Sequence, residues 1–121
     1  MVSEQTKIKL YQGSQELIGK LQDIFSRKEN IDVEEINEIN QGKLEDTNIL
    51  MVLSEENSED ILKEYGKTKV YIVVYNGNAF YCYNNGIIDM SILNKNEEKC
   101  VNIILDHIIH VEIIKYCNEA F

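Results

Sequence analysis

Proline and tryptophan are absent from this chain, and only six glycines occur in its 121 residues. With no Pro-rich or Gly-rich stretch, no flexible linker divides the sequence, and residues 1–121 read as a single domain long enough for one core. Long hydrophobic runs are missing as well: none reaches the roughly 18 to 20 residues that cross a bilayer. The opening Met1-Val-Ser-Glu-Gln-Thr-Lys7 lacks the apolar stretch of a secretory signal. Cysteine is scarce. Cys82, Cys100 and Cys117 form an odd set that suits reduced thiols in a cytoplasmic protein better than a disulfide framework. Positive charge is scarce too, with 12 Lys and Arg against 21 Asp and Glu, a formal net charge of −9. That balance argues against a nucleic-acid partner, which demands clustered Lys and Arg, and against an anionic membrane surface. It favours a basic protein partner, which such a field attracts fastest, although solubility alone is the plainer account of the same charge.

What is present is ordinary globular composition, 44% hydrophobic and 27% charged, with a clear sheet signal. Val70 to Tyr83 holds two β-rich runs around Asn76-Gly77-Asn78, which predicts a hairpin. Ile8–Tyr11 predicts a short strand. The continuous apolar run within Asn48–Leu53 predicts another, covered on both faces. Asn84-Asn85-Gly86 makes a second turn, and Ile87–Leu93 a further candidate strand.

Helical spacing appears at Leu17, Ile18, Leu21, Ile24 and Phe25, behind a capping Ser14. Ser58 is placed to cap a short helix presenting Ile61, Leu62 and Tyr65, with Gly66 as its C′ residue. Residues 31–40 read either as strand or as helix, and a short strand running into a helical turn is the preferred reading. From about Glu97 to Phe121 the chain reads as one long helix, a strand pair being the competitor. Its paired isoleucines, Ile103/Ile104, Ile108/Ile109 and Ile113/Ile114, put apolar side chains nearly all round the axis, a candidate homodimer face. The expected fold is therefore α/β: a small open sheet of about five strands, with a parallel βαβ core, an antiparallel hairpin at residues 70–83 and a long C-terminal helix.

Chemistry is harder to find. His107 and His110 lie one turn apart, but Cys100 and Cys117 are about 25 Å apart along a helix, too far to share one zinc ion. No metal site or cofactor is expected, and no catalytic residue is assigned. Neither a Gly-x-Gly-x-x-Gly loop nor a Walker loop is present. Gln12-Gly13-Ser14 nevertheless occupies the strand-to-helix turn where α/β folds often bind phosphate through helix N-terminal amides, so these three are the candidate ligand-binding residues, an ordinary capped turn being the plainer reading. Glu55, Glu56, Glu59 and Asp60 cluster after the central strand, at the carboxyl edge of the expected sheet. They read as a solvated helix start or as a surface for a cationic partner. Five of the seven tyrosines fall between Tyr65 and Tyr83. Tyrosine offers contact area with a polar tip, so Tyr71, Tyr75 and Tyr81 join the candidate partner surface, packing under a helix with hydroxyls at the rim being the equal alternative.

The order of elements resembles a shrunken, glycine-poor E1-like (ThiF-type) Rossmann domain, of the kind found in partner proteins of azoline-forming peptide cyclodehydratases. The similar stretches are Ile8-Lys-Leu-Tyr-Gln-Gly-Ser14 as first strand and turn, Asn48–Leu53 as an inner strand, and His110-Val-Glu-Ile-Ile-Lys-Tyr116 as the final helix. That family's adenylate-binding glycines, catalytic arginines and Cys-x-x-Cys zinc pairs have no counterpart here. The resemblance implies a non-catalytic relative that grips a peptide or partner protein.

Three functions are open on the sequence. The preferred one is a non-enzymatic acidic protein-binding module, for instance an immunity or antitoxin protein neutralising a basic partner. The second is a small enzyme or ligand-binding domain acting on a phosphorylated or cationic small molecule at the carboxyl edge of the sheet. The third is the peptide-binding accessory protein that the resemblance implies.

Overall fold

The computed structural model describes residues 5–119, and side chains as far as Ile108. Six strands, β1 (Thr6–Tyr11), β2 (Ile31–Ile36), β3 (Ile49–Val52), β4 (Tyr71–Tyr75), β5 (Ala79–Asn84) and β6 (Ile87–Leu93), form one mixed sheet. Four helices accompany them: α1 (Gln15–Ser26), α2 (Gln41–Leu44), α3 (Ser58–Tyr65) and α4 (Glu97–Glu119). The α/β class, the parallel core, the hairpin and the long last helix are as expected, with six strands where about five were foreseen.

Strand order is β2-β1-β3-β4-β5-β6. The first four strands are mutually parallel and the last two antiparallel. After β1 the chain moves one way to β2, then returns across β1 to β3 and β4. Right-handed crossovers therefore put α1 on one face and α2 and α3 on the other. The core divides accordingly. On one face Ile8, Leu10, Ile49, Met51, Val73, Phe80 and Cys82 pack under α1 and α4. On the other, Leu50, Val52, Ile72 and Val74 pack under Leu44 of α2 and Ile61 of α3. Strand β3 has a helix on each side, and all four of its residues are buried.

Local chemistry accounts for the elements. Ser14 Oγ accepts from the Leu17 amide at 3.2 Å and starts α1. In the first hairpin turn Asn76 Oδ1 accepts from the amides of Asn78 (2.9 Å) and Ala79 (2.8 Å), and Gly77 takes φ 91°. Asn85 (φ 56°) and Gly86 (φ 81°) are both left-handed, the requirement of the two-residue turn joining β5 to β6. Helix α4 begins with Asn96 Oδ1 accepting from the Lys99 amide at 3.0 Å. It is held to α1 by Arg27 with Glu98 (3.2 Å) and Lys20 with Glu97 (3.9 Å).

Some local expectations need correction. Ser58 is the first residue of α3 rather than its cap; Asn57 holds the cap position and makes no side-chain bond there. Gly66 does not adopt a left-handed C′ conformation. Its φ is −61°, and glycine is required because a Cβ would lie 2.3 Å from the Leu62 carbonyl oxygen. Residues 31–36 are strand, but the helical turn waits until Gln41, where Asn40 Oδ1 accepts from the Lys43 amide. In α4 the isoleucine pairs split, Ile104 and Ile108 being buried while Ile103 is 48% exposed. The side chains of Ile109, His110, Ile113, Ile114 and Cys117 lie outside the described residues.

Candidate functional site

Strands β1 and β3 are neighbours, yet the chain leaves their carboxyl ends toward opposite faces. A crevice opens at such a reversal because neither following helix covers it. Here it measures about 390 Å³. Gln12, Ser14 and Leu17 line it from the β1–α1 turn, Leu53, Ser54 and Glu55 from the end of β3, and Tyr75, Asn76 and Gly77 from the hairpin turn.

A second crevice of about 260 Å³ adjoins it on the α3 side, lined by Ser58, Glu59, Leu62, Val74, Tyr81, Tyr83 and Ile88. Glu55 and Asn76 line both. The two crevices open on opposite faces at the carboxyl edge of the sheet and meet at Glu55 and Asn76, a two-sided groove. Tyrosines stand on either side. Tyr75 projects to the α1 face and Tyr81 to the α3 face, as period-two alternation along paired strands requires.

The groove brings together most of the candidate residues. Gln12, Ser14, Glu55, Glu59, Tyr75 and Tyr81 all line it. Gly13 lies beneath it, where a Cβ would come within 2.7 Å of Leu53 Cδ1 and 2.8 Å of Ile18 Cγ1; its role is close packing of turn against helix. Glu56 and Asp60 are exposed beside the groove without lining it. Tyr71 falls on the buried side of the two readings: at 5% exposure it lies in the cluster packed under α1 and α4, away from the groove.

Two features set Gln12 apart. It holds φ 62°, the left-handed region that costs a non-glycine residue energy. Its Oε1 is also buried with no hydrogen-bond partner among the described residues. Tyr75, by contrast, is fixed. Its hydroxyl donates to the Gly77 carbonyl (3.1 Å) and accepts from Asn94 Nδ2 (2.7 Å), while its ring lies 4.6 Å from that of Phe80. The serine hydroxyls are committed to turns: Ser14 Oγ caps α1, and Ser54 Oγ accepts from the Glu56 amide at 3.3 Å. Among the described residues none of Glu55, Glu56, Glu59 and Asp60 joins an ion pair. What the groove presents is carboxylate, aromatic face and amide, the set that takes hold of a cation.

The remaining candidates lie elsewhere. Cys82 is buried under α4 with its thiol pushed up to about 12, by burial first and by Asp89 second, the opposite of an activated nucleophile. Cys100 is buried, its Sγ 3.6 Å from the Leu93 carbonyl oxygen. His107 pairs with Asp89. Among the described residues no group of three or more His, Cys, Asp or Glu is placed to hold a metal ion, and no helix is long and apolar enough to cross a membrane. A larger hollow, about 460 Å³, sits at the opposite, amino end of the sheet between Leu44, Glu45, Tyr65 and Lys69. Its hydroxyls are engaged with backbone carbonyls, Thr47 with Lys43 and Thr68 with Tyr65.

Comparison of the chain with protein-family models, with curated proteins and with solved structures finds no match in any of the three.

Proposed function

We propose that this protein is a non-enzymatic binding module that docks a basic protein segment in the groove along the carboxyl edge of its sheet. An immunity protein or antitoxin that neutralises a cationic partner is one form of this reading. The observation that carries the reading is the position of Glu55, shared by two adjoining crevices and flanked by Tyr75 and Tyr81. A lysine or arginine entering either crevice meets a carboxylate and the edge or face of an aromatic ring. Glu59, Glu56 and Asp60 extend the negative field along the rim, and the overall charge of −9 speeds encounter with a cation. Gripping a peptide is also the role implied by the resemblance to E1-like partner proteins.

The test is binding of a fluorescent arginine- and lysine-rich peptide at low and high salt. Wild type should bind and weaken as salt rises. The variant Glu55→Lys/Glu59→Lys should lose about tenfold or more in affinity, chiefly through slower association, while Glu45→Lys/Asp46→Lys at the other end of the sheet stays within about twofold. Equal losses in both variants would leave only diffuse charge attraction.

A second reading rests on Gln12. Its left-handed backbone and unpartnered buried Oε1 stand at a crevice whose volume falls in the small-ligand range. A cationic small molecule fits beside Glu55 better than a phosphorylated one, which that carboxylate would repel. A rise in melting temperature with a small guanidinium or polyamine, absent in Gln12→Ala, would favour this reading.

A further inference from the structure

Strand β6 ends the sheet, so among the described residues one side of its backbone has no neighbouring strand. Its sequence, Ile87-Ile-Asp-Met-Ser-Ile-Leu93, holds no lysine or proline, and its one charge, Asp89, is the extra residue of a bulge that leaves Met90–Leu93 regular. Three of its apolar side chains stand in solvent, Ile87 (71% exposed), Ile88 (55%) and Leu93 (68%), while Met90 and Ile92 pack against the core. The opposite edge is built differently. There β2 exposes Asp32, Glu34 and Glu35 within six residues, a charged fringe that resists pairing.

Backbone direction on β6 can be read from one bond. The Asn94 amide donates to the Asn78 carbonyl at 2.7 Å, toward β5. Antiparallel alternation then turns the amides of Leu93 and Ser91 outward. Met90–Leu93 lies in unbroken register with Ala79–Cys82, and the irregularity of the ladder falls just before it on β6, where Asp89 is the extra residue opposite Cys82 and Tyr83. The outward edge of this stretch is therefore regular.

We propose that β6 is a homodimer interface, in which Met90–Leu93 of two copies pair antiparallel about a two-fold axis and join the two sheets into one. Charge selects a second copy as the occupant. The pairing stretch is uncharged, so its own copy meets no like charge across the ladder, even though each chain carries −9. The one charged side chain of β6, Asp89, is engaged by His107 at 2.6 Å, which leaves a basic strand no free carboxylate on β6 to pair with. Pairing uses up both β6 edges and leaves the acidic β2 edges outermost, so the assembly closes as a dimer. Ile88 of the same strand lines the groove and Ser91 stands opposite Tyr81, but Met90–Leu93 are not among the lining residues and the backbone edge they offer does not depend on the groove's function.

Sedimentation velocity over a concentration series, at low and high salt, tests the proposal. Wild type should show a monomer–dimer equilibrium that tightens as salt screens the repulsion between two acidic bodies. Ser91→Lys/Leu93→Lys, two exposed positions, should raise the dimer dissociation constant about tenfold or more. Hydrogen exchange on wild type gives a readout that no variant can confound: the Ser91 amide should slow as concentration rises, while the Met90 amide, facing β5, should not. A monomer throughout the series, or a dimer that leaves Ser91 exchange unchanged, would overturn the proposal. So would a dimer that survives the lysine pair but is lost in Ile103→Lys on α4.

Discussion

Asp89 Oδ2 lies 2.6 Å from His107 Nε2, so the last strand of the sheet is tied to the helix that crosses its face. The side chains of Asp89 and His107 are 29% and 24% exposed, although the Asp89 residue as a whole is at the surface. His107→Gln should lower stability by about 1 kcal/mol, and a double-mutant cycle with Asp89→Asn should recover most of that as coupling. Additive losses would mean that the two side chains are neighbours without interacting.

Glu34 and Lys9 face each other across the β1–β2 ladder. The Lys9 ammonium, by hydrogen bond first and charge second, holds the Glu34 carboxyl below its ordinary range. Because the folded-state value is depressed, the stabilisation is present above the unfolded value and is lost as pH falls through the folded one. An NMR titration should find Glu34 protonating at lower pH than an ordinary glutamate, and Lys9→Met should bring it back up. No movement on that substitution would show that the ammonium is not the cause.

Gly13 sits where a side chain has no room. Gly13→Ala forces a methyl against Leu53 and Ile18 and should cost about 1 to 3 kcal/mol, read as a lower denaturant midpoint at unchanged slope. A neutral result would mean that the turn shifts to accommodate it.

Burial keeps the Cys82 thiol protonated up to about pH 12. At pH 8 a thiol reagent should leave Cys82 unlabelled in the native protein and label it on unfolding, as mapped by peptide mass. Rapid native labelling would place Cys82 in an opening segment rather than in the core.

Much of the fold was legible because its signals are local. The Asn76-Gly77 turn, the Ser14 cap and the unbroken apolar run in β3 each identify an element without reference to any other. Short or shared features were not. Helix α2 is four residues long, too brief for a periodic pattern, and its start depends on the Asn40 side chain. Alternation along β4 places Tyr71 and Tyr75 on one face but cannot say that the first is buried and the second only partly so. The groove was legible only in pieces, because residues 12–14, 54–59 and 75–81 meet through strand order, which no single segment specifies. The orphaned Gln12 Oε1 has no sequence signal beyond a non-glycine in a tight turn.

The most direct test of the account is a two-dimensional amide NMR titration of the protein with an arginine- and lysine-rich peptide at low salt. The account predicts shifts concentrated at Gln12, Ser54–Glu59, Tyr75, Asn76 and Tyr81, with the acidic residues of β2 and α4 little changed. Shifts spread evenly over every acidic surface, or confined to the amino end of the sheet around Glu45 and Lys69, would contradict it.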